Sequence, residues 1–189
     1  MLVSNHFNLQ IITTYLRLLL LGCTVISISN CSQSYAKPPN NAMGKYQCLP
    51  CGYNCDTKTH TTPGTCENCH MELVDKASII FDNIATQDVC SYIAKHPNVV
   101  LLDVRTKAEF NGKASPNFGT LKNAINIPLQ ELENRLAGMV NLKNKDIIVF
   151  CSHSHRSPQA SYLLSQNGFK NITNMLGGMS VMQDNNCKQ

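Results

Sequence analysis

The chain has 189 residues, 43% of them apolar and 15% charged, with a formal net charge of +4. That is enough for one ordinary domain and a small module beside it. The charge is too mild for a nucleic-acid surface, and no basic stripe, heptad or internal repeat is present.

Taken in chain order, the first segment reads as an address. "LLLLGCTVISIS" (Leu18 to Ser29) is an uncharged, mostly apolar run of 12 residues behind Arg17. It is shorter than the roughly 20 residues that span a bilayer. "NCSQSYA" then places Ser34 and Ala36 at the small-residue positions read by a signal peptidase. The expectation is a signal peptide over 1–36, cleavage after Ala36 and export to a periplasm. The alternative is a lipoprotein anchored at Cys23, although Arg17 leaves a short apolar region there. Contact with a membrane is expected only through this segment, if it stays uncleaved. Residues 37–45 read as a linker.

Ten cysteines occur, and five of them lie between Cys48 and Cys69. In "YQCLPCGYNCDTKTHTTPGTCENCHMELV", Cys48 and Cys51 form one C-x2-C pair, Cys66 and Cys69 a second, with 14 residues between. Each such turn aims two thiolates at one tetrahedral centre, so the four predict a zinc site within a module over 46–74. So short a segment needs a metal or disulfides to fold. Cys55, His60 and His70 are surplus ligand candidates. The stretch resembles the heavy-metal-binding domain found beside bacterial metal transporters, most closely in "PGTCENCHMELV". That resemblance keeps copper open beside zinc. The plain reading is a structural metal knuckle, and disulfide pairing is its rival in an oxidising compartment.

From about residue 75 strand and helix alternate. Strands are expected at Ala77–Phe81, Asn98–Arg105, Lys145–Cys151 and Lys170–Met175, with another ending at Pro128. Helical segments fall at Thr86–Lys95, Thr106–Phe110, Leu129–Ala137 and Pro158–Gln166. The apolar, β-branched runs are those of strands covered on both faces, so the order predicts an α/β domain with a central parallel sheet flanked by helices, over 75–184. Residues 185–189 form a polar tail. Within the domain, "FCSHSHRSP" sets Cys151 at a strand's carboxyl end, before a helix expected to be capped by Ser157 and to start at Pro158. Such strand ends are where α/β sheets place their ligands, and a helix N-terminus favours a thiolate or a bound anion. Arg156 adds a forked cationic donor. Cys151 is therefore the candidate nucleophile.

"LLDVRTKAEF", "NAINIPL", Cys151-x4-Arg156-Ser157 and "LGGM" occur in the order seen in the rhodanese family of sulfurtransferases, which the segment resembles. The resemblance implies that Cys151 takes a sulfane sulfur from a small donor such as thiosulfate and passes it to a thiol or cyanide. It also implies that the N–H groups of Ser152, His153, Ser154, His155 and Arg156 cradle that sulfur beside Ser157, and that Arg156 orients the donor's sulfonate. No cofactor is implied for the transfer. Phosphatases on this fold carry one more residue in the loop. A phosphatase or arsenate reductase is thus the weaker rival, beside a metal-sensing protein with a silent rhodanese scaffold. The chain departs from the family pattern with Ser154 where glycine is frequent, with "GTL" at Gly119–Leu121, and with Met179 where many members have tryptophan.

The remaining residues have plainer expectations. His153 and His155 read as solvated loop residues, and Asp103 as a structural carboxylate. Arg105 and Glu109, at i, i+4 spacing, suggest an ion pair. Gly177 and Gly178 suggest close backbone approach. Cys90 reads as a buried small residue, and Cys187 as free, paired or a mobile second thiol.

Overall fold

A computed structural model describes residues 45–189. The expected signal peptide and nearly all of the linker lie outside the described residues. Among the described residues eight strands form two sheets: β1 (Tyr46–Cys48), β2 (Thr59–His60) and β3 (Leu73–Asp75), then β4 (Asp82–Ala85), β5 (Val100–Asp103), β6 (Ile125–Asn126), β7 (Asp146–Phe150) and β8 (Asn171–Leu176). The helices are α1 (Val89–Lys95), α2 (Lys107–Phe110), α3 (Leu129–Arg135) and α4 (Arg156–Gln166). The large sheet is parallel throughout, in the order β4-β8-β7-β5-β6. Residues on β7 alternate between two cores. Ile147 and Val149 enter one with Leu102, Leu132 and Leu164, while Ile148 and Phe150 enter the other with Leu101, Val89 and Met175. This period-2 burial on both faces is why the central strands read as continuous apolar runs.

Two expected elements shift, each for a local reason. Ala77–Phe81 is not a strand. A 3-10 turn occupies Lys76–Ser78, where Asp75 accepts from Ala77 N and the Ser78 hydroxyl donates to Asp75 O, and the strand begins at Asp82. Side chains that bond to nearby backbone compete with a sheet ladder. The helix after Cys151 begins at Arg156, two residues earlier than Pro158. Ser157 does not cap it, because its hydroxyl is fully buried and lies 3.5 Å from Cys151 Sγ. Pro158 then falls in the first turn, where a missing N–H costs nothing.

The small antiparallel sheet, ordered β2-β1-β3, carries the cysteine module. It does not stand apart. Cys48, Leu49, Cys51, Met71 and Leu73 share one apolar core with Val104, Val149 and Leu164. Asn174 Nδ2 on β8 donates to Pro50 O at 3.1 Å and so ties the module to the central sheet.

On the opposite face, Cys90 of α1 is bonded to Cys187 across 97 residues of sequence. This corrects the expectation that Cys90 is merely a small buried side chain, and it removes Cys187 as a mobile thiol. The tail is docked as well: Gln189 N donates to Thr120 O at 2.8 Å, and Lys122 N to Cys187 O at 2.9 Å. Helical spacing conceals such a pairing, since only the fold brings α1 and the tail together. Closing a loop of this length is worth up to roughly 4–5 kcal/mol in the chain-entropy view. Replacing Cys187 by serine is therefore expected to lower unfolding stability by about 2–4 kcal/mol in urea titrations. Under full reduction the two proteins should become equally stable.

Candidate functional site: a buried cysteine in a clamped loop

β7 ends at Phe150, and the chain leaves the sheet as Cys151-Ser152-His153-Ser154-His155 before entering α4 at Arg156. Cys151 is 1% exposed. Two contacts hold the loop over it. The first is the turn after β8. Gly177 and Gly178 have φ of 77° and 69°, and a Cβ on Gly178 would lie 2.5 Å from the carbonyl oxygens of both Cys151 and Ser152. Without it, Met179 N donates to Cys151 O at 2.8 Å and Ser180 N to Ser152 O at 3.0 Å. The close approach expected at these glycines is thus a contact with the Cys151 loop itself.

The second contact is Glu109. Arg156 Nη1 and Nη2 each donate to its carboxylate at 2.7 Å, and Ser152 Oγ donates to it at 2.7 Å. Glu109 also accepts from Thr106 N and Thr106 Oγ1 in a capping box at the start of α2. This corrects the expected Arg105–Glu109 pair. Arg105 turns the other way, fully buried, with its guanidinium on Asp103 at 2.6 Å and on Gly119 O at 2.8 Å. Asp103 also accepts from Thr120 Oγ1, so it is the structural carboxylate expected. Glu109 is the site residue that sequence reasoning missed. Its signal was the Thr106-x-x-Glu109 spacing, which aims a carboxylate back across the helix start. The forked bond to Arg156, working against burial and joined by Ser152, holds the Glu109 carboxyl far below its ordinary range, and the same pairing raises Arg156.

The other loop residues are also located. Ser152 and Ser154 are buried; His153 is exposed with its ring edge-on to Phe118, and His155 is half-buried with its ring 5.7 Å from Tyr53. Ser154 sits at φ 61°, and its buried hydroxyl has no partner among the described residues. A side chain in this left-handed region costs about 1–2 kcal/mol, which accounts for glycine being easier there. Gly52 and Tyr53 of the cysteine module, with His153, Gly177 and Val181, help line a cleft of about 790 Å³. Cys151 is not on its wall, so this cleft lies beside the loop and not over the thiol.

In the module, Sγ atoms of Cys48, Cys51, Cys55 and Cys69 all lie within 4.8 Å of one another. Three of these are expected ligands, while Cys55 stands where Cys66 was expected. Cys66 is buried but its sulfur is outside this set. His60 and His70 are outside the cluster. None of the five cysteines is in a disulfide. An all-sulfur set of this kind could hold a metal, and its donors suit a soft or borderline cation. Burial pushes the thiols of Cys48 and Cys51 up. For Cys66 the burial effect is outweighed by the backbone N–H groups of Cys69 and Asn68, which bring it to about 7.

A five-stranded parallel sheet with a cysteine loop leading into a helix defines a class, and comparison with known proteins names it. Residues 86–185 match the rhodanese-like domain family, to which the chain belongs. A sulfurtransferase of Allochromatium vinosum is 26% identical, over 52% of this chain and 84% of its own length. The thiosulfate sulfurtransferase PspE of Escherichia coli is 39% identical, over 30% of this chain and 55% of its own. A tRNA uridine(34) hydroxylase of Buchnera aphidicola is 28% identical over 55% of this chain, which spans only 37% of that protein. Among solved structures, a rhodanese-related protein of Thermoplasma volcanium is 32% identical with a TM-score of 0.44, covering 52% of this chain and 87% of that one. A Rhodopseudomonas palustris protein described as a possible tyrosine phosphatase shares the fold at 18% identity, with a TM-score of 0.50 and coverage of 60% and 87%.

Three outcomes follow from the loop and its clamps. Glu109→Gln should lower stability by about 1–3 kcal/mol near neutral pH, the range for bonds to a charged group. Because the folded carboxyl titrates below its ordinary value of 4.5, that contribution is complete above about pH 5 and fades on acidification. Wild type and variant should therefore converge in acid. Ser154→Gly should stabilise by about 1 kcal/mol through relief of the left-handed backbone, read as a rise in Tm. Gly178→Ala should instead displace the loop, because its Cβ would meet the Cys151 and Ser152 carbonyls, and change the rate at which iodoacetamide labels Cys151.

Proposed function

We propose that the protein is an exported sulfurtransferase in which Cys151 carries sulfur as a persulfide. The observation that supports it most is the loop itself: four residues between Cys151 and Arg156, closed by the Gly178 turn on one side and Glu109 on the other. A loop this short suits a single sulfur atom better than a phosphate. The sulfurtransferase of Allochromatium vinosum, most of whose length this chain spans, supports the same reading. The hydroxylases extend well beyond the shared segment.

In the first step the Cys151 thiolate attacks the outer sulfur of thiosulfate. A sulfur–sulfur bond forms at Cys151, the sulfur–sulfur bond of thiosulfate breaks, and sulfite leaves with the bonding electron pair. In the second, a thiolate or cyanide attacks that outer sulfur and the Cys151 thiolate is restored. The N–H groups of Ser152 to Arg156 and the start of α4 are the donors at hand for the charge on the bound sulfur. Arg156 has five N–H donors, and three are engaged by Glu109 and Ser152. It therefore positions the loop first, and its remaining donors serve the sulfonate. Export agrees with the Cys90–Cys187 disulfide, since such bonds persist in oxidising compartments. The thiol cluster is proposed to bind a soft metal such as zinc or copper and to stabilise the module.

The test is sulfur transfer from thiosulfate to cyanide by the purified protein, with mass spectrometry of the thiosulfate-treated chain. One added sulfur on Cys151 and turnover, both absent from Cys151→Ser, are expected. A chain that neither gains sulfur nor turns over would remove the proposal. Glu109→Gln is expected to lower kcat/KM for thiosulfate about 10- to 100-fold, the cost of roughly 1.4–2.7 kcal/mol in the transition state.

A further inference from the structure

Cys51 and Cys55 bracket a turn made of Gly52, Tyr53 and Asn54, and both belong to the four-sulfur set. Four sulfurs held about 2.3 Å from one tetrahedral ion stand about 3.8 Å apart. Here the sulfurs of Cys51 and Cys55 are 3.6 Å apart, those of Cys48 and Cys69 are 2.9 Å apart, and all four lie within 4.8 Å of one another. The set has the dimensions of one closed tetrathiolate, with Cys55 as a full member. The far side of the same turn rests on the groups around Cys151. Just ahead of it, Pro50 O accepts from the buried Asn174 on β8 at 3.1 Å. Gly52, at φ 84°, lies so near the turn after β8 that a Cβ on it would stand 3.9 Å from Gly177 N. Tyr53 sets its ring 5.7 Å from that of His155. The turn thus joins the thiol set to both the Gly177-Gly178 turn and the Cys151 loop.

We propose that Cys48, Cys51, Cys55 and Cys69 bind one zinc-class divalent ion, and that this ion steadies the Cys151 loop by closing the turn that carries Tyr53. The inference rests on the metal-binding role proposed for the module, and adds the ligand set, the stoichiometry and an effect on the neighbouring loop. Borderline divalent ions take four thiolates in a tetrahedron, which is what this set offers. Binding is ligation only: each thiol gives its proton to solvent as its sulfur bonds the ion, and no oxidation state changes. The turn already has a brace in Asp56, whose carboxylate accepts from Cys51 N at 3.0 Å and from Gly52 N at 2.7 Å. An ion needs all four sulfurs together. It therefore binds the closed turn and not an opened one, and loading shifts the population towards the closed form. Gly52 and Tyr53 are then held against the Gly177 turn and the His155 ring, and the loop loses freedom in the same step.

The experiment uses the full chain with Cys23 and Cys31 changed to serine, stripped of metal without oxygen and reloaded with cobalt(II) or zinc. The Cys90–Cys187 bond is left oxidised. Metal analysis gives the stoichiometry, cobalt absorption the sulfurs bound, and hydrogen exchange the state of the loop over 151–156. One equivalent with a four-sulfur cobalt spectrum is expected, unchanged in Cys66→Ser and degraded in Cys55→Ser. Zinc should slow exchange across 151–156 about 5-fold or more, the lower end for coupled sites. Tyr53→Ala should keep the cobalt spectrum, which shows that its module folds, and lose most of that slowing. Equal exchange with and without zinc, or undiminished slowing in Tyr53→Ala, overturns the coupling. A four-sulfur spectrum kept by Cys55→Ser and lost by Cys66→Ser overturns the ligand set. Retention of no metal by the parent overturns the metal-binding role as well. None of these measurements needs sulfur transfer, so the thiosulfate test decides that reading separately.

Discussion

The site depends on a missing side chain. Because Gly178 has no Cβ, the turn after β8 closes onto the carbonyls of Cys151 and Ser152 and donates two N–H groups to them. Those two bonds tie the loop's first carbonyls to the turn after β8, so the backbone itself fixes where the loop leaves the sheet.

Glu109 completes what the glycine turn begins. A single carboxylate gathers Arg156, Ser152 and the start of α2, joining the Cys151 loop to a segment 43 to 47 residues away in sequence. Arg156 lies at the start of α4, where a cation opposes the helix dipole; the pairing with Glu109 offsets that cost and fixes the guanidinium's plane. Ser154 shows that the loop tolerates strain. Its left-handed backbone persists because both flanks of the loop are bound.

The cysteines divide by the company the fold gives them. Among the described residues, Cys151 is buried beneath its loop, four cysteines cluster in the module with Cys66 buried nearby, and two are joined across the opposite face. The shared core binds the cluster and the rhodanese-like domain into one body. Tyr53, set between Cys51 and Cys55, reaches His155 in the Cys151 loop. The thiol cluster and that loop are thus linked by one aromatic contact.

Much of this was legible in the residues alone. Apolar runs at 100–103 and 146–150 announced buried parallel strands, because burial on both faces removes any alternation of polarity. The spacing of Cys151, Arg156 and Gly177-Gly178 announced the loop and its turn, because helix starts and close backbone contacts demand particular residue types. Partner choice was not legible. Arg105 sits four residues before Glu109 yet bonds Asp103, and Arg156 crosses from α4 to take Glu109. Cys55 joins the cluster ahead of Cys66, and Cys90 finds Cys187. Sequence determined which local shapes and chemistries the chain could carry. Tertiary structure decided who meets whom, because charges and thiols interact over a few ångströms of space, and neighbours at that range are set by the packing of distant elements.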